Sequence, residues 1–339
     1  MTVIVSQHVF FLGLGGIGMS SLARHLARQG HVVGGYDLTP SKLIDDLQAE
    51  GMFVTHSPMP EDLPEWALYA TNNLTVVRTP AVPEDLPLLV HFQRLGITTM
   101  KRAELLGAIT HDQPTLAVAG THGKTTTSSW LAAMLDVGAQ GCHAFLGGID
   151  TRTGTNYLTR PEAKWHVVEA DEFDRSFHQL HPTCAAITNL EPDHLDTYGT
   201  SEAFRAAFEQ FGKQVSDTLI LPFDLTWPDM KSGPSIERFA LIEEGQIAPQ
   251  HVRNSAVVSR NQRDILFQLG DVQFKARPAI PGRHNTANAL VAAALALHAG
   301  ASPSQIAHAV ENFHGVNRRM QVHLDTPEAV YIDDYAHHP

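Results

Sequence analysis

The sequence is poor in cysteine, in positive charge and in long apolar runs. Its two cysteines, Cys142 and Cys184, are far apart and match no disulfide or metal-ligand spacing, which favours a reducing cytosol. The net charge of −12 offers no basic footprint for nucleic acid. No uninterrupted apolar run reaches the ~18 residues of a membrane span, and the N-terminus lacks the basic region that opens a signal peptide. We therefore predict a cytoplasmic protein without nucleic-acid binding or membrane insertion.

The chain is long enough for two domains, or for three small ones. Its 339 residues are 43% hydrophobic and 18% charged, an ordinary globular balance. Strand-like and helix-like segments alternate, which predicts an α/β class with mostly parallel sheets. A linker at His111–Pro114 separates a first domain, residues 1–111, from a second that begins at residue 112.

A glycine-rich turn opens the first domain between a strand pattern and a helix pattern. The run 8–12 is apolar, Gly13-Leu14-Gly15-Gly16-Ile17-Gly18 follows, and a helical pattern begins at Met19. Glycines at this spacing let the backbone approach a diphosphate, whose charge the helix N-terminus stabilises. The pattern leaves open a nicotinamide or flavin dinucleotide, another diphosphate ligand, or a structural turn. Asp37, about twenty residues further on, either contacts a ribose or caps the next segment.

A second glycine-rich turn opens the second domain. Gly120-Thr121-His122-Gly123-Lys124-Thr125 lies between the apolar run 116–118 and a helix-like run. This order of elements predicts a phosphate-binding loop, with Lys124 at the outer phosphates and the Thr125 hydroxyl at Mg²⁺. The loop is shorter than the common pattern, because Val118 occupies the position of the usual first glycine. The alternative is a glycine turn capped by threonines.

Two later strands end in groups that could hold a metal ion. The run 165–172 ends in three carboxylates, of which Glu169 is best placed for Mg²⁺ beside a phosphate loop. The strand 185–190 leads to Asp193-His194-Leu195-Asp196, where His194 could bind a metal or a phosphate oxygen. Solvated acids and a surface histidine are the alternatives.

Less specific patterns complete the chain. Short strands are predicted at 67–70 and 75–77, and antiparallel β-structure from about Phe239 to Ala279. His284 and Asn288 open an alanine-rich helix, where they could read a base edge or cap the helix. Arg318 and Arg319 are candidates for phosphate contact, or else form a solvated pair.

Together these motifs resemble those of the Mur ligases, the ATP-dependent amide-forming enzymes of peptidoglycan precursor synthesis. The resemblance covers nearly the whole chain. It is carried by Gly13–Met19, Gly120–Thr127, Glu169–Glu172, Thr188–Asp196, Gly282–Asn288, Arg318–Arg319 and Asp333–Pro339.

The resemblance implies a Rossmann-like N-terminal domain that binds a UDP-sugar rather than NAD. It also implies a central ATPase domain with a phosphate loop, a mostly parallel sheet and a small antiparallel β extension, at residues 112–328. The implied UDP-sugar contacts are Gly13, Gly15, Gly16, Ile17, Gly18, Met19 and Asp37. The implied ATP contacts are Gly120, Thr121, His122, Gly123, Lys124, Thr125, Thr126, His284, Asn285, Asn288, Arg319 and Asp334.

In that family Mg²⁺ accompanies ATP, which implies metal ligands in this chain at Thr125 and Glu169, with His194 at a second ion. Lys124, His194 and Arg319 become the implied catalytic residues. His284 and Asn288 would lie at the adenine, and Asp334 near the ribose or the hinge.

Three segments are most similar to the branch that joins L-alanine to UDP-N-acetylmuramic acid: 15–19, 101–106 and 193–198. The nearest rival branch attaches a whole tripeptide to the same sugar nucleotide in murein recycling. Phe208 stands where several other branches have a carbamylated lysine, which argues against those that add diaminopimelate, glutamate or D-Ala-D-Ala.

The family has a third, C-terminal domain, and the sequence stops at the hinge motif, residues 329–339, where that domain would begin. We expect that the chain is a fragment or lacks this domain. A nucleotide-binding module without ligase activity is therefore an alternative. A dehydrogenase is weaker, because it gives no reason for the loop with Lys124 and Thr125.

Overall fold

The structure, a computed structural model, describes residues 5–70, 73–138, 140–193, 195–230, 232–258, 263–319, 321–326 and 329–334. It forms two compact units, Met1–His111 and Asp112–Pro339, which we describe separately. Within these ranges no helix has both the length and the apolar character needed to cross a bilayer.

The first unit alternates strands and helices. Its strands are β1 His8–Leu12, β2 Val32–Tyr36, β3 Phe53–Thr55, β4 Leu74–Arg78 and β5 Thr99–Lys101. Its helices are α1 Ile17–Arg28, α2 Lys42–Ala49, α3 Glu65–Leu68, α4 Pro87–Arg94 and α5 Arg102–Thr110.

All neighbouring strands of this unit pair in parallel, in the order β3-β2-β1-β4-β5. After β3 the chain returns to the other side of β1, so the strand order reverses between β1 and β4. Ligands of open α/β sheets bind at such a reversal, outside the carboxyl ends of the strands. The glycine loop directly after β1 lies at that point.

The core of this unit follows from apolar strands and one-sided helices. Phe10 and Leu12 of β1 are fully buried, and so are Leu88, Leu89 and Phe92 on one face of α4. The strand predicted at 67–70 is wrong, because residues 65–68 form helix α3. A four-residue segment is too short for its apolar period to show in the sequence.

The second unit contains more strands. They are β6 Thr115–Ala119, β7 Cys142–Asp150, β8 Thr155–Leu158, β9 Trp165–Glu169, β10 Cys184–Ile187, β11 Thr218–Pro222, β12 Ser235–Glu243, β13 Asn254–Val258, β14 Ile265–Leu269, β15 Val272–Ala276, β16 Gln321–Asp325 and β17 Val330–Asp333. The helices are α6 Lys124–Asp136, α7 Leu195–Tyr198, α8 Ser201–Gly212, α9 Arg283–His298 and α10 Pro303–Asn312.

Strands β6 to β15 form one sheet, in the order β15-β14-β13-β12-β11-β10-β6-β9-β7-β8. The seven strands from β13 to β7 pair in parallel. Antiparallel pairing is confined to the pairs β13–β14 and β14–β15 at one edge and the pair β7–β8 at the other. The expectation of antiparallel structure from Phe239 to Ala279 is confirmed for β14 and β15, and β13 is antiparallel to β14 on one side. It is wrong for β12, which pairs in parallel with both of its neighbours. Half-exposed strands near the edge alternate polar and apolar residues, a pattern more typical of antiparallel sheets.

Helices α6 and α9 are buried almost all round and pack in the same core. Trp130 and Leu131 of α6 and Leu290 of α9 are fully shielded from solvent. The many alanines of α9 allow its backbone to approach its neighbours closely. This packing brings the start of α9 beside the start of α6, where the phosphate loop ends.

Candidate functional site

The second glycine loop connects the carboxyl end of β6 to the first turn of α6. Gly120 and Gly123 have φ of +128° and +85°, a region that other residues rarely adopt. A Cβ on Gly120 would lie 2.1 Å from Thr188 Oγ1, and one on Gly123 would lie 2.5 Å from Asn288 Oδ1. Space and backbone conformation both require glycine, as in a loop whose N–H groups surround phosphate.

The segment after β10 holds this loop in place. The Thr121 hydroxyl donates to the carbonyl of Glu191 at 2.7 Å, and the His122 N–H donates to Asn189 Oδ1 at 3.0 Å. Thr188 Oγ1 and Asn189 Nδ2 both donate to the His122 carbonyl. Parallel pairing of β6 with β10 explains this arrangement, since it places both carboxyl ends at one edge.

In this segment the sequence predicts a role only for His194, which lies outside the described residues. Thr188 and Asn189 were missed as supports of the loop. The signal was their position directly after a strand of the same sheet.

Lys124 forms an ion pair with Glu172. Its Nζ lies 2.8 and 2.7 Å from the two carboxylate oxygens and donates to the Gly120 carbonyl at 2.6 Å. Glu172 is 1% exposed. Burial raises the pKa of its carboxyl group, and the charge of Lys124 opposes that rise. Glu172 is the last of the three carboxylates after β9, and the sequence gives no reason to prefer it.

Glu169, at the end of β9, joins three elements around one carboxylate. Its Oε2 accepts from the Thr125 hydroxyl at 3.1 Å, and its Oε1 accepts from Ser128 Oγ at 3.0 Å and from the Gly147 N–H at 2.6 Å. Burial raises the pKa of this carboxyl group against the lowering effects of these hydrogen bonds and of Lys124.

A cation beside this carboxylate would favour its charged form. The hydroxyl and carboxylate oxygens of Thr125 and Glu169 are ligands that Mg²⁺ prefers, so these residues fit the ion.

The contact of Gly147 with Glu169 is not predicted from the sequence. A Cβ there would lie 2.5 Å from Glu169 Oε2, and the signal was a pair of glycines inside a strand.

A cavity of about 380 Å³ adjoins the loop. Phe239, Ile280, Val291 and Val316 are its apolar walls, which suit a planar base. Eight of the residues predicted at ATP line it: His122, Gly123, Thr126, His284, Asn285, Asn288, Arg319 and Asp334.

Two of these residues, on α9, also have structural contacts. Asn285 Nδ2 donates to the Pro281 carbonyl at 2.7 Å, which fixes the first turn of α9. Asn288 lies against Gly123. The remaining predicted nucleotide residues, Gly120, Thr121, Lys124 and Thr125, form the adjoining loop itself. The structure thus brings the predicted residues of this unit together, and their contacts with ATP stay predictions.

The glycine loop of the first unit is closed by Asp37. Its Oδ2 accepts from the Gly15 N–H at 2.7 Å, and its Oδ1 accepts from the Thr39 N–H at 3.0 Å. A Cβ on Gly15 would lie 2.8 Å from Asp37 Oδ2, so this approach requires glycine. The carboxylate therefore caps the following segment and also fixes the loop. Contact with a ribose stays a prediction.

The other residues of this loop differ in exposure. Gly13 has φ of +88°, and Gly16 is the exposed N-cap of α1. Ile17 is the first residue of α1, whereas the side chain of Met19 is 1% exposed and belongs to the core. A Cβ on Gly18 would lie 3.1 Å from the Arg102 side chain, which the sequence does not predict at this loop.

Comparison with known proteins matches both units to one family. Residues 8–113 match the catalytic domain of the Mur ligase family, and residues 118–296 match the Mur ligase middle domain. The UDP-N-acetylmuramate–L-alanine ligase of Porphyromonas gingivalis is 40% identical over 98% of this chain and 73% of its own length. The enzyme of the same name from Parabacteroides distasonis is also 40% identical, over 98% of this chain and 71% of its own.

Solved structures agree with this match. The UDP-N-acetylmuramate–alanine ligase of Thermotoga maritima has a TM-score of 0.78 at 26% identity, over 98% of this chain and 74% of that chain. The murein peptide ligase of Psychrobacter arcticus has the same TM-score, 0.78, at 25% identity, over 98% of this chain and 73% of that chain.

Proposed function

Because this chain belongs to the Mur ligase family, we propose that it joins L-alanine to UDP-N-acetylmuramic acid in an ATP-dependent reaction of peptidoglycan precursor synthesis. The observation that carries this proposal is the loop Gly120–Thr125 with Glu169 bonded to Thr125. An ATP site needs such a loop, and relatives at 40% identity bear the name of this activity.

The proposed reaction has two steps. An oxygen of the lactyl carboxylate attacks the γ-phosphorus of ATP, the bond to ADP breaks, and an acyl phosphate forms. The amino group of L-alanine then attacks the acyl carbon, the carbon–oxygen bond breaks, and phosphate leaves as the nitrogen loses its proton to solvent. Lys124 and Arg319 stabilise the charge on the transferred group, because phosphoryl transfer depends mainly on positioning and electrostatics.

Thr125 and Glu169 would hold Mg²⁺, which when bound supplies positive charge to the phosphates. His122, Gly123 and Thr126 line the cavity side of the loop, where they orient the nucleotide. The apolar walls of the cavity exclude water from one face of the base.

We assign the UDP-sugar to the glycine loop of the first unit. Support comes from the position of this loop at the strand reversal and from its N–H groups at the start of α1. The same features would suit a dinucleotide. Membership of a ligase family and the second loop, with Lys124 and Thr125, disfavour a dehydrogenase.

Addition of a tripeptide is the second candidate. The murein peptide ligase from Psychrobacter arcticus matches the backbone as well as the alanine ligase does. Sequence favours L-alanine, since the relatives at 40% identity are named for it. Phe208, which stands where several other branches of the family have a carbamylated lysine, is fully buried, and its ring centroid lies 5.1 Å from that of Phe177. We place the reaction in the cytoplasm, in line with two free, buried thiols.

The test is an amide-formation assay with UDP-N-acetylmuramic acid and ATP, offering L-alanine and the tripeptide separately. We expect phosphate release and amide product with L-alanine. Lys124→Ala should abolish ATP turnover and leave UDP-sugar binding nearly intact, whereas Lys213→Ala, at an exposed lysine, should change neither. Product with the tripeptide alone would select the recycling activity. Binding of both nucleotides without any amide product would indicate a binding module.

A further inference from the structure

The Lys124 ammonium is already engaged by groups of the protein itself. Its Nζ is held between the Gly120 carbonyl and both carboxylate oxygens of Glu172. The side chains of Lys124 and Glu172 are 17% and 2% exposed, so water screens their attraction only weakly. Phosphate oxygens that approach Lys124 must therefore compete with an established counter-ion.

Hydrogen bonds to its main-chain carbonyl fix the backbone of Glu172. The carbonyl of Glu172 accepts from the Tyr198 hydroxyl at 2.5 Å and from the Arg175 N–H at 3.0 Å. Asp174 and Arg175 adopt φ of +50° and +55°, and the Arg175 guanidinium lies 5.4 Å from the centre of the Tyr198 ring. Two consecutive left-handed residues other than glycine are costly, and they persist only where surrounding contacts require them. The segment is thus built to keep Glu172 in one place.

We propose that Glu172 is a positioning residue that holds the Lys124 ammonium in the loop and competes with the outer phosphates of the nucleotide for it. This inference rests on the proposed function, because it requires the loop to bind ATP. The carboxylate therefore has two opposite effects. It weakens nucleotide binding, but it keeps the ammonium where phosphoryl transfer needs it.

Glu172→Gln tests this division in the full chain, since it keeps the shape and one acceptor oxygen but removes the charge. We expect calorimetry to find ATP bound at least about fivefold more tightly, because the ammonium no longer leaves an ion pair. Single-turnover ADP formation with UDP-N-acetylmuramic acid should be at least about tenfold slower, because the ammonium is less well fixed. A purely structural role predicts weaker binding together with a lower melting temperature, and that result would overturn the proposal.

Asp174→Asn is the matched control. It removes one negative charge from the same segment at an exposed side chain, and asparagine tolerates the left-handed backbone there. Its ATP affinity should stay within about twofold of wild type. If Asp174→Asn tightened ATP binding as much as Glu172→Gln does, the effect would come from the overall negative charge of the segment. That result would refute the proposed competition for Lys124.

A double variant separates competition for Lys124 from direct repulsion of phosphate. In a Lys124→Met background there is no ammonium to release, so adding Glu172→Gln should not tighten binding. Tightening there would mean that the carboxylate repels the phosphates directly, against the proposal. If Glu172→Gln fails to fold, Glu172→Asp ends one bond short of the ammonium and should show the same tightening in smaller measure.

Measurements of ATP binding separate the role of Glu172 from the proposed function. If wild-type protein binds no ATP, the proposed function is wrong. If it binds ATP and Glu172→Gln leaves the affinity unchanged or weaker, only the role of Glu172 is wrong.

Discussion

The Thr125 hydroxyl donates to Glu169 Oε2 at 3.1 Å, so the helix after the phosphate loop and the end of β9 present a pair of oxygens side by side. The pairing of β6 with β9 produces this relationship, because Val118 and Glu169 lie opposite each other in register. The other oxygen of Glu169 is occupied by Ser128 Oγ and the Gly147 N–H. One oxygen is therefore oriented toward Thr125 while the other is anchored.

The first prediction concerns this pair and Mg²⁺. Thr125→Ala removes a proposed metal ligand, so the Mg²⁺ concentration for half-maximal phosphate release should rise by at least about tenfold. Ser128→Ala removes only an anchor of Glu169 and should produce a smaller rise. A larger effect for Ser128→Ala than for Thr125→Ala would contradict the assignment of the metal ligands.

The second prediction concerns Gly120. Gly120→Ala combines a backbone at φ +128° with a Cβ 2.1 Å from Thr188 Oγ1, so we expect a loss of about 3 kcal/mol in unfolding free energy and no measurable ATP binding. Gly154→Ala is the matched control, because φ is +67° there and no atom lies within 4 Å of the added Cβ. It should lose about 1 kcal/mol and keep its ATP affinity. Urea denaturation and calorimetry measure both; equal losses would refute the steric argument.

The features that could be predicted from the sequence are those that depend on residues close together in the chain. The βαβ start of the first unit and the strand–loop–helix around Lys124 were predicted and are confirmed, since glycine spacing and apolar runs are local signals. The helix at 65–68 was not predicted, because four residues show no repeated apolar pattern and Ala67 is the buried residue among them.

The same limit applies to the site. That His284 and Asn288 share a cavity with the loop depends on the packing of α9 against α6, and Arg319 joins them from the turn after Val316. Residue types alone reveal neither placement. That Lys124 pairs with Glu172 follows from the path of the backbone after β9, which places this carboxylate 2.7 Å from the ammonium. Three carboxylates at a strand end look equivalent until that backbone is known.

The third prediction concerns pH and His166. Burial, with a contribution from nearby His143, lowers the pKa of His166 from 6.5 to about 4. Its folded state thus binds a proton less readily than its unfolded state. The stability it contributes is complete above pH 6.5 and is lost as the pH falls toward 4.

His166→Gln should remove this dependence. Wild type should lose on the order of a few kcal/mol more than the variant between neutral pH and pH 4. His314→Gln, at an exposed histidine, should follow wild type. Urea denaturation at a series of pH values measures the difference, and parallel curves for wild type and His166→Gln would contradict it.

The fourth prediction concerns Asp37, which binds the N–H groups of Gly15 and Thr39 with separate oxygens. Asp37→Asn replaces one acceptor by a donor, so one of these charge-assisted bonds must be lost and the glycine loop is less well fixed. UDP-N-acetylmuramic acid should bind about tenfold more weakly, since a bond to a charged group contributes about 1.5–3 kcal/mol. ATP affinity should be unchanged, because the phosphate loop belongs to the other unit.

Asp45→Asn removes the same charge from an exposed position in α2 and should leave both affinities at wild-type values. Calorimetry with each nucleotide measures the two sites independently. If Asp37→Asn weakened ATP and spared the UDP-sugar, the glycine loop of the first unit could not be the UDP-sugar site. If it weakened neither, Asp37 would only cap the segment that follows β2, and the binding role would rest on the glycines and the start of α1.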